Sequence, residues 1–512
     1  MASKYTDIFT GTLQAVRRQM PYGDLSPGIV AHDLTRRAAA LYEKIRSFID
    51  YQDENQIKRR VIERIIRRKA LFGKRESTGR AILEELVGIG YLPNDAVPES
   101  RAHEVQHIVD YYNTLSTVDA RNKSFRSWTI SLASVEVHEL LFDHSFDIAS
   151  VEVLRSVLRD NMKFDEEMSI DRKEKIILVA AHRVLFEASL IEQYFALWKH
   201  EHNQRKLYHD TTDASYYVLS FWKEAQDIIE DNVVWTVTNK IKDEAIAVKL
   251  IREYAHQYAG ASDIFADKHQ AAESMKHFLE HTYKKESEYV RKNGIRAVIY
   301  LLFTKMILAI LFEIPIDLWL IGKIAFVSLA INIIFHPLLL LFITRRPLGF
   351  SADNTEKATA KALGIIDGHV NPIYVKVRKK TPYELAYFLL YGLLYAVTFG
   401  IIIGALHALD FNPVSMILFL VFLALVSYFG VRIRSHALRY KVSTGKEKIL
   451  SMLGNLFMLP IVRMGRYLST KFSTINALVF IMDFIIETPF KLMLKVFNDF
   501  LYFLRDKRED VF

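Results

Sequence analysis

Four long apolar runs constrain this 512-residue chain more than any other feature. They occupy residues 297–315, 318–343, 385–406 and 414–431. An α-helix rises about 1.5 Å per residue, so runs of this length approach or match the roughly 30 Å hydrocarbon core of a bilayer. Inside lipid, every backbone amide has to be hydrogen-bonded within its own segment. Each run is therefore predicted to be a membrane-spanning helix.

Lysine and arginine are distributed unevenly around these runs. The links at 316–317 and 407–413 contain neither residue, whereas the outer flanks of both pairs of runs are rich in both. By the positive-inside rule, basic flanks face the cytoplasm. We therefore expect two transmembrane hairpins, 297–343 and 385–434, in an inner membrane, with both termini and the 344–384 loop in the cytoplasm.

Composition excludes several kinds of chemistry. The chain contains no cysteine, which rules out disulfides, cysteine nucleophiles and Cys-ligated zinc or iron–sulfur sites. The net charge of +8 is modest for this length, and much of the excess lies beside the apolar runs. The expected partners are therefore the lipid bilayer and its anionic headgroups rather than nucleic acid. The sequence has no phosphate-binding loop, dinucleotide-binding fingerprint or serine-hydrolase signature, and zinc is the one cofactor for which it has a motif.

Residues 1–290 are predicted to form a large cytoplasmic domain made of helices. Apolar residues recur there with a period near 3.6, and the alternation typical of strands is scarce. Predicted helices include 56–71 and 172–200, and a last helix over 262–292 is expected to run toward the membrane. A polar stretch at 160–172 is a possible boundary between two subdomains. The predicted fold class is all-α, with a cytoplasmic helical domain, a four-helix transmembrane region and amphipathic interfacial helices at the C-terminus.

The segment 56–71 has the sharpest amphipathic pattern in this domain. A stripe of isoleucine and valine shares the helix with basic residues that include Arg59, Arg60, Arg64, Arg67 and Arg68. We favour a bundle helix with a solvated charged face. The alternative is docking on anionic lipid headgroups, where each basic residue near the surface adds about 1 kcal/mol.

One motif is typical of catalysis. His103, Glu104 and His107 match the His-Glu-x-x-His pattern of zinc metallopeptidases. Residues i and i+4 lie on one face of a helix, so both imidazoles would bind one Zn²⁺ while Glu104 acts as general base on the zinc-bound water. Glu139 is the candidate third ligand. A helix that carries surface histidines and a glutamate explains the same residues, and we favour that interpretation.

Polar residues interrupt the first two apolar runs: Lys305, Glu313, Lys323, Asn332 and His336. An unpaired lysine at the centre of a spanning helix costs roughly 2.5–3.5 kcal/mol on insertion scales, so Lys305 is expected to pair or to snorkel. Glu313 and Lys323 are expected to pair beside the outer turn. We favour snorkelling and interhelical hydrogen bonds over an ion or proton route, because transporters usually present more helices.

The C-terminal region 446–512 remains apolar but is interrupted by charges. Five charged residues fall at four-residue steps and form one polar stripe on a helix: Asp483, Glu487, Lys491, Lys495 and Asp499. An in-plane helix need not bury these charges, so we expect interfacial helices rather than a fifth span or a re-entrant hairpin. The stretch 455–491, NLFMLPIVRMGRYLSTKFSTINALVFIMDFIIETPFK, resembles the tail of uncharacterised multi-pass membrane proteins of bacteria with reduced genomes. This resemblance covers only the C-terminal third and implies a membrane location but no activity.

Three functional hypotheses follow. The leading one is a non-catalytic scaffold or adaptor whose helical domain recruits an unidentified protein partner to the membrane. The second is a membrane-tethered zinc metallopeptidase that uses the His103 motif, and the third is a transporter or channel subunit that uses the intramembrane polar residues. Four spans per chain would need an oligomer to form a pore. Gly400 and Gly404 have the small-residue spacing that allows helices to approach closely, either in a homo-oligomer or within one subunit.

Overall fold

In the computed structural model, the described residues are 3–19, 54–72, 78–95, 97–205, 211–258, 265, 267–320, 322–346, 348, 352–377, 384–442 and 449–474. They are almost entirely helical, as the sequence predicted, apart from turns and two strands of three residues each. They fall into two compact units. The first takes its described residues from Met1–Ala261 and Gly364–Val377, and the second takes them from Ser262–Leu363 and Arg378–Ile481.

The first unit is a bundle of short helices. Its helices are α1 (Lys4–Gln19), α2 (Glu54–Phe72), α3 (Thr78–Ile89), α4 (Ser100–Ser116), α5 (Lys123–Leu141), α6 (Ser145–Asn161), α7 (Ile170–Phe186), α8 (Leu190–Arg205), α9 (Thr211–Glu230), α10 (Asn232–Lys240) and α11 (Lys242–Gln257). Helices adjacent in sequence pack on each other, α4 on α5 and α6 on α7, and α1 returns to α6. Apolar faces such as those holding Leu154 and Val179 are fully buried. The core is therefore built from the helical stripes that the periodicity indicates.

The predicted helix 172–200 is wrong as a single helix. α7 ends at Phe186 because Glu187 adopts the left-handed conformation, with φ at 51°, and α8 follows after a short turn. The Glu192 carboxylate accepts a hydrogen bond from the backbone N–H of Ser189 at 2.6 Å, which satisfies a donor at the start of α8. The apolar residues on both sides of the break belong to helices, so their pattern alone does not reveal it.

Two short strands form a parallel pair that the sequence analysis missed. β1 (Met162–Phe164) pairs with β2 (Ile373–Val375). Three residues are too few for strand alternation to be recognised in a sequence.

The segment 160–172, predicted as a possible subdomain boundary, lies inside the first unit. The predicted loop 344–384 contributes β2 and a helix, α15 (Ala352–Ile366).

The second unit contains the apolar helices. α12 (Lys268–Leu308) continues through a π-helical turn (Ala309–Glu313) into α13 (Ile314–Leu320), and the later helices are α14 (Phe326–Arg345), α16 (Glu384–Ala408), α17 (Pro413–Ala437) and α18 (Ile449–Thr474). Four segments are long and apolar enough to cross a membrane by length and composition: Lys268–Trp319, Phe326–Arg345, Leu385–Ala408 and Pro413–Ser435. The prediction of four helices of membrane-spanning length is confirmed.

The first hairpin turns later than predicted. The helix continues through the predicted link at 316–317, and Asp317 is buried. Its carboxylate accepts hydrogen bonds from the backbone N–H of Ala325 at 3.1 Å and from the side-chain amide of Asn412 at 2.5 Å. These donors compensate the buried carboxylate, so a charged residue that resembled a turn residue is accommodated within the helix.

Helix α18 packs closely against α17. A Cβ atom placed on Gly465 would lie 1.9 Å from the carbonyl oxygen of Ala424 and 2.8 Å from Cβ of Tyr428. The contact lies near the middle of α17 and in the C-terminal half of α18. α18 is not among the four segments of membrane-spanning length and composition found in the described residues, and the interfacial placement predicted for this part of 446–512 stays a prediction. Residues 475–512, which hold the predicted polar stripe, lie outside the described residues.

Candidate functional site

The first unit contains a cavity of about 700 Å³. Residues of α2, α5, α6, α7, α8 and α11 line it, together with the turn between α5 and α6. Its apolar lining includes three phenylalanines: Phe146, Phe186 and Phe195. Sites for small molecules usually have volumes of about 300–1,000 Å³ and a mostly apolar lining with a few polar groups. The cavity therefore has the size of a ligand site.

Titratable side chains make up much of the remaining lining. Its histidines are His138, His144, His182, His200 and His256. Its basic residues are Arg59, Arg155, Lys199 and Arg252. Its acidic residues are Glu139, Asp143, Asp147, Glu152, Glu192 and Glu253. Such a concentration of titratable groups in a concave site is typical of functional sites; we call this site the histidine cavity.

The side chains of His138 and His144 meet in the histidine cavity. Helix α5 ends at Leu141, and the extended conformation of Phe142 turns the chain so that His144 returns toward α5. The two ring centroids are 4.9 Å apart. His138 is 5% exposed, and Nε2 of both rings is buried without a hydrogen-bond partner in the part of the chain that the structure describes. Two buried nitrogens that lack partners indicate a site that a ligand or water completes.

The two histidines differ in their tendency to take up a proton. Burial, together with the charge of His144, lowers the pKa of His138 to about 3, so its imidazole is neutral. Burial also disfavours the charged form of His144, but the contact of its Nδ1 with Asp147 at 3.5 Å and the carboxylate charge of Glu139 raise its pKa above the usual value. The pair therefore offers one neutral imidazole and one that is protonated more readily.

Two guanidinium groups in the lining each have one nitrogen that makes no hydrogen bond within the described residues. Arg59 Nη1 donates to Glu63 at 2.8 Å and to Ser134 at 3.3 Å, and Arg155 Nη1 donates to Glu152 at 2.7 Å. In both arginines Nε–H is buried and has no hydrogen-bond partner among the described residues. A buried donor without a partner costs about 1–3 kcal/mol. The unsatisfied polar atoms found in the described lining are thus nitrogens of arginine and histidine.

We expect the free energy of unfolding to decrease as the pH falls below about 6.5. His138 and His202 are buried, and burial lowers their pKa values to about 3 and about 4. Both therefore stay neutral in the folded state, whereas the unfolded chain takes up protons near pH 6.5. Because the unfolded state binds more protons, each histidine costs about 2 kcal/mol of stability by about pH 5. The raised pKa of His144 opposes part of this loss.

Thermal unfolding of the full-length protein in detergent, between about pH 7.5 and pH 5, measures this effect. His138→Leu is expected to flatten the pH dependence, because it removes a group that the unfolded chain protonates. His103→Leu is the matched control, since His103 is exposed on α4. A melting temperature that stays constant over this range would contradict the prediction.

The structure does not assemble the predicted zinc site. His103, Glu104 and His107 are exposed on α4, and Arg101 forms an ion pair with Glu104 at 2.6 Å. Glu139 instead lines the histidine cavity. Among the described residues, the two histidines of the motif and Glu139 do not form a group of ligand atoms compact enough for one metal ion.

One carboxylate cluster is as compact as a metal site. Asp171, Glu201 and Glu224 each place an oxygen atom within 4.8 Å of the others. All three surround the ammonium group of Lys175, whose Nζ lies 2.8 Å from Asp171 and 2.7 Å from Glu224. The lysine occupies the position that a cation would take, so we assign the cluster as an ion-pair network.

The basic face of α2 is used largely inside the protein. Arg59 is buried, Arg67 Nη2 donates to Glu63 at 2.6 Å, and Arg68 forms an ion pair with Glu85. Arg60 is exposed, and Arg64 is partly buried, as Arg67 and Arg68 are. These contacts fit a helix of the bundle, although its charged face is only partly solvated.

Polar residues of the membrane helices form a connected cluster. Lys305 is fully buried, and its Nζ donates to Asn332 Oδ1 at 2.8 Å. Asn332 Nδ2 in turn donates to Glu313 Oε1 at 2.7 Å. Lys305 Nζ also lies 3.9 Å from the centroid of the Phe422 ring. One amide therefore bridges an ammonium group and a carboxylate, both shielded from solvent.

His336 extends this cluster toward α17. Its Nδ1 lies 3.0 Å from the carbonyl oxygen of Asn332, and its Nε2 lies 3.0 Å from that of Phe419. Lys323 is exposed in the turn after α13, whereas Glu313 is buried against Asn332. Glu313 therefore does not pair with Lys323 as predicted, and it accepts a hydrogen bond from Asn332 instead. Interhelical pairing, rather than snorkelling, compensates the buried lysine.

Comparison with protein-family models, curated proteins and solved structures finds no match for this chain. The resemblance of the C-terminal third to multi-pass bacterial membrane proteins stays a prediction. Ligand, partner and chemistry therefore have to be inferred from the geometry of the histidine cavity and of the membrane cluster.

Proposed function

We propose that the chain is a multi-pass inner-membrane protein whose helical domain binds a small polar ligand in the histidine cavity. The observation that carries this proposal is a set of buried nitrogens in the lining that have no hydrogen-bond partner in the described part of the chain, on Arg59, Arg155, His138 and His144. Each such atom costs roughly 1–3 kcal/mol when it is left without a partner. A bound ligand would supply the missing partners, and the cavity volume suits a small molecule.

The membrane helices would give this binding domain a fixed place at the bilayer. Four segments have the length and composition to cross it, and their basic flanks support cytoplasmic placement of both termini. Hydrogen bonds from Lys305 and His336 join α12, α14 and α17. These bonds support a role of the polar cluster in holding the helices together, in preference to an ion route. A receptor of this kind is a specific form of the adaptor hypothesis, in which ligand binding accompanies recruitment of a protein partner.

Mass spectrometry of the small molecules released from the purified full-length protein tests the binding function. We expect the wild type to carry, or to take up from a metabolite library, one small polar molecule per chain. Ala196→Phe is expected to weaken this binding about tenfold or more, because Ala196 lines the cavity and the new ring would occupy ligand space. His103→Phe, at an exposed position, is the matched control.

Two outcomes would contradict the proposal. One is a wild-type protein that releases no small molecule and whose melting temperature no member of the library changes. The other is a molecule that binds equally well to the wild type and to a folded Ala196→Phe variant, because its site would then lie elsewhere.

A further inference from the structure

We propose that the ligand of the histidine cavity carries an oxyanion, either a phosphoryl or a carboxylate group; this inference rests on the binding function proposed above. The unpaired atoms of the lining decide the ligand class. Nε–H of Arg59 and Nε–H of Arg155 are both buried without a hydrogen-bond partner among the described residues, and Arg59 Nε has the Glu192 carboxylate only at 3.7 Å. A guanidinium group donates hydrogen bonds and accepts none, so a ligand that pairs with both positions has to present hydrogen-bond acceptors, and an anionic oxygen is the acceptor that matches the positive charge.

Both guanidinium groups are held in place before a ligand arrives. Arg59 is fixed by Glu63 and Ser134, and it lies 3.7 Å from Glu192. Arg155 forms ion pairs at 2.7 Å and 3.2 Å, and its partners are Glu152 and Glu174. The hydrogen bonds and short ion pairs of both arginines involve their Nη atoms. Arg59 Nε is within ion-pair distance of Glu192 but makes no hydrogen bond to it. A ligand therefore meets donors whose orientation is already set, which reduces the entropy lost on binding.

His144 adds a further donor. Its Nδ1 faces the Asp147 carboxylate at 3.5 Å, and Asp147 is itself bound by Arg252 at 2.6 Å. A proton on Nδ1 is therefore favoured, and a second proton places N–H at the unpaired Nε2. The neighbouring Nε2 of His138 can donate or accept, depending on its tautomer. The arrangement suits an anion that accepts several hydrogen bonds.

Acidic residues of the lining do not oppose this ligand class strongly. Several of them are already compensated by a basic residue at 2.5–2.7 Å: Glu139 by Lys199, Asp147 by Arg252 and Glu152 by Arg155. Their charges are balanced inside the protein, whereas the Nε–H groups of Arg59 and Arg155 have no hydrogen-bond acceptor among the described residues. Charge-assisted hydrogen bonds to an oxyanion are about twice as strong as neutral ones, so the anion gains most from these donors.

A transition metal is the competing ligand for the two imidazoles. A histidine that contacts a carboxylate through its second nitrogen is common around metals, and Asp147 with His144 has this arrangement. However, guanidinium groups in the same lining repel a cation and cannot bind it. Within the described residues, the His138–His144 pair also does not belong to a compact group of three ligand atoms. The geometry therefore favours the oxyanion.

Calorimetric titration of the full-length protein in detergent tests the ligand class, with inorganic phosphate, acetate, zinc chloride and glycerol as separate probes. We expect phosphate or acetate to bind, and the stronger of the two identifies the phosphoryl or the carboxylate source. Arg155→Lys keeps the charge but removes the guanidinium fork, so it is expected to weaken this binding about tenfold or more. His144→Gln is expected to act in the same direction. Arg60→Lys, at an exposed position of α2, is the matched control and is expected to bind like the wild type.

Several results would overturn the oxyanion assignment and leave the binding function intact. They are zinc binding that exceeds anion binding and is lost in His138→Phe, or a released ligand that has no oxyanion. Unchanged anion affinity in both Arg155→Lys and His144→Gln, each with the melting temperature of the wild type, would also overturn it. By contrast, a protein that binds neither the probes nor any metabolite would refute the binding function itself.

Discussion

Replacing Lys305 with methionine is expected to destabilise the second unit by about 3–5 kcal/mol. Lys305 donates to Asn332, which donates to Glu313, and all three side chains are buried. Without the ammonium group, the carboxylate of Glu313 remains buried in a medium of low polarity with no cation to compensate its charge. An uncompensated buried charge costs far more than the intact pair contributes.

Removing both charges is expected to be much milder. In Lys305→Met/Glu313→Leu the uncompensated carboxylate is absent, and replacing a buried pair by apolar residues is often neutral or stabilising. Lys323→Met is the matched control, since Lys323 is exposed in the same hairpin. Thermal unfolding in detergent measures the three variants. Charge compensation is the wrong explanation if Lys305→Met melts like the wild type, or if the double variant is as unstable as the single one.

A π-helical turn brings the two charges of this cluster toward the same side of the helix. Lys305 and Glu313 are eight residues apart, and eight α-helical residues end about 80° from the starting direction. The turn at Ala309–Glu313 has wider, i→i+5 hydrogen bonding, which lowers the rotation per residue and reduces this offset. Both side chains then bond to Asn332. Apolar periodicity carries no signal for such a turn, so the sequence indicated which polar residues matter but not how they connect.

Sequence reasoning succeeded where one physical requirement dominates. Bilayer thickness and backbone hydrogen bonding require long apolar helices, and four such helices are present. It failed where a single residue decides the outcome. Glu187 in the left-handed conformation ends α7, and buried Asp317 stays in its helix because Asn412 donates to it. Where a helix ends and which charged residues it can bury depend on contacts with residues that are distant in sequence.

The candidate sites show the same division. The His-Glu-x-x-His spacing places His103 and His107 on one face of α4, but Val105 and Val109 bury the other face. The motif histidines are therefore exposed, and among the described residues they form no compact group of ligand atoms with Glu139. A spacing of six residues does not place two histidines on one face of a helix. His138 and His144 meet only because the chain turns between α5 and α6, and the six helices that surround them cannot be arranged from periodicity alone.

Replacing Gly465 with leucine is expected to destabilise the packing of α18 on α17 by about 3 kcal/mol or more. A Cβ atom at this position would lie 1.9 Å from the backbone oxygen of Ala424. Backbone atoms cannot rotate away as the end of a flexible side chain can, so the two helices have to separate. Separation also opens the apolar cluster in which Ile461 packs with Phe419 and Leu423.

Gly454→Leu is the matched control, because nothing among the described residues lies within 4 Å of a Cβ atom on Gly454 in the same helix. Both substitutions gain the higher helix propensity of leucine, which favours the helix by roughly 0.5–1 kcal/mol, so only the contact with α17 differs between them. Thermal unfolding in detergent is expected to separate the two variants. Equal melting temperatures would show that α18 does not pack on α17 at Gly465.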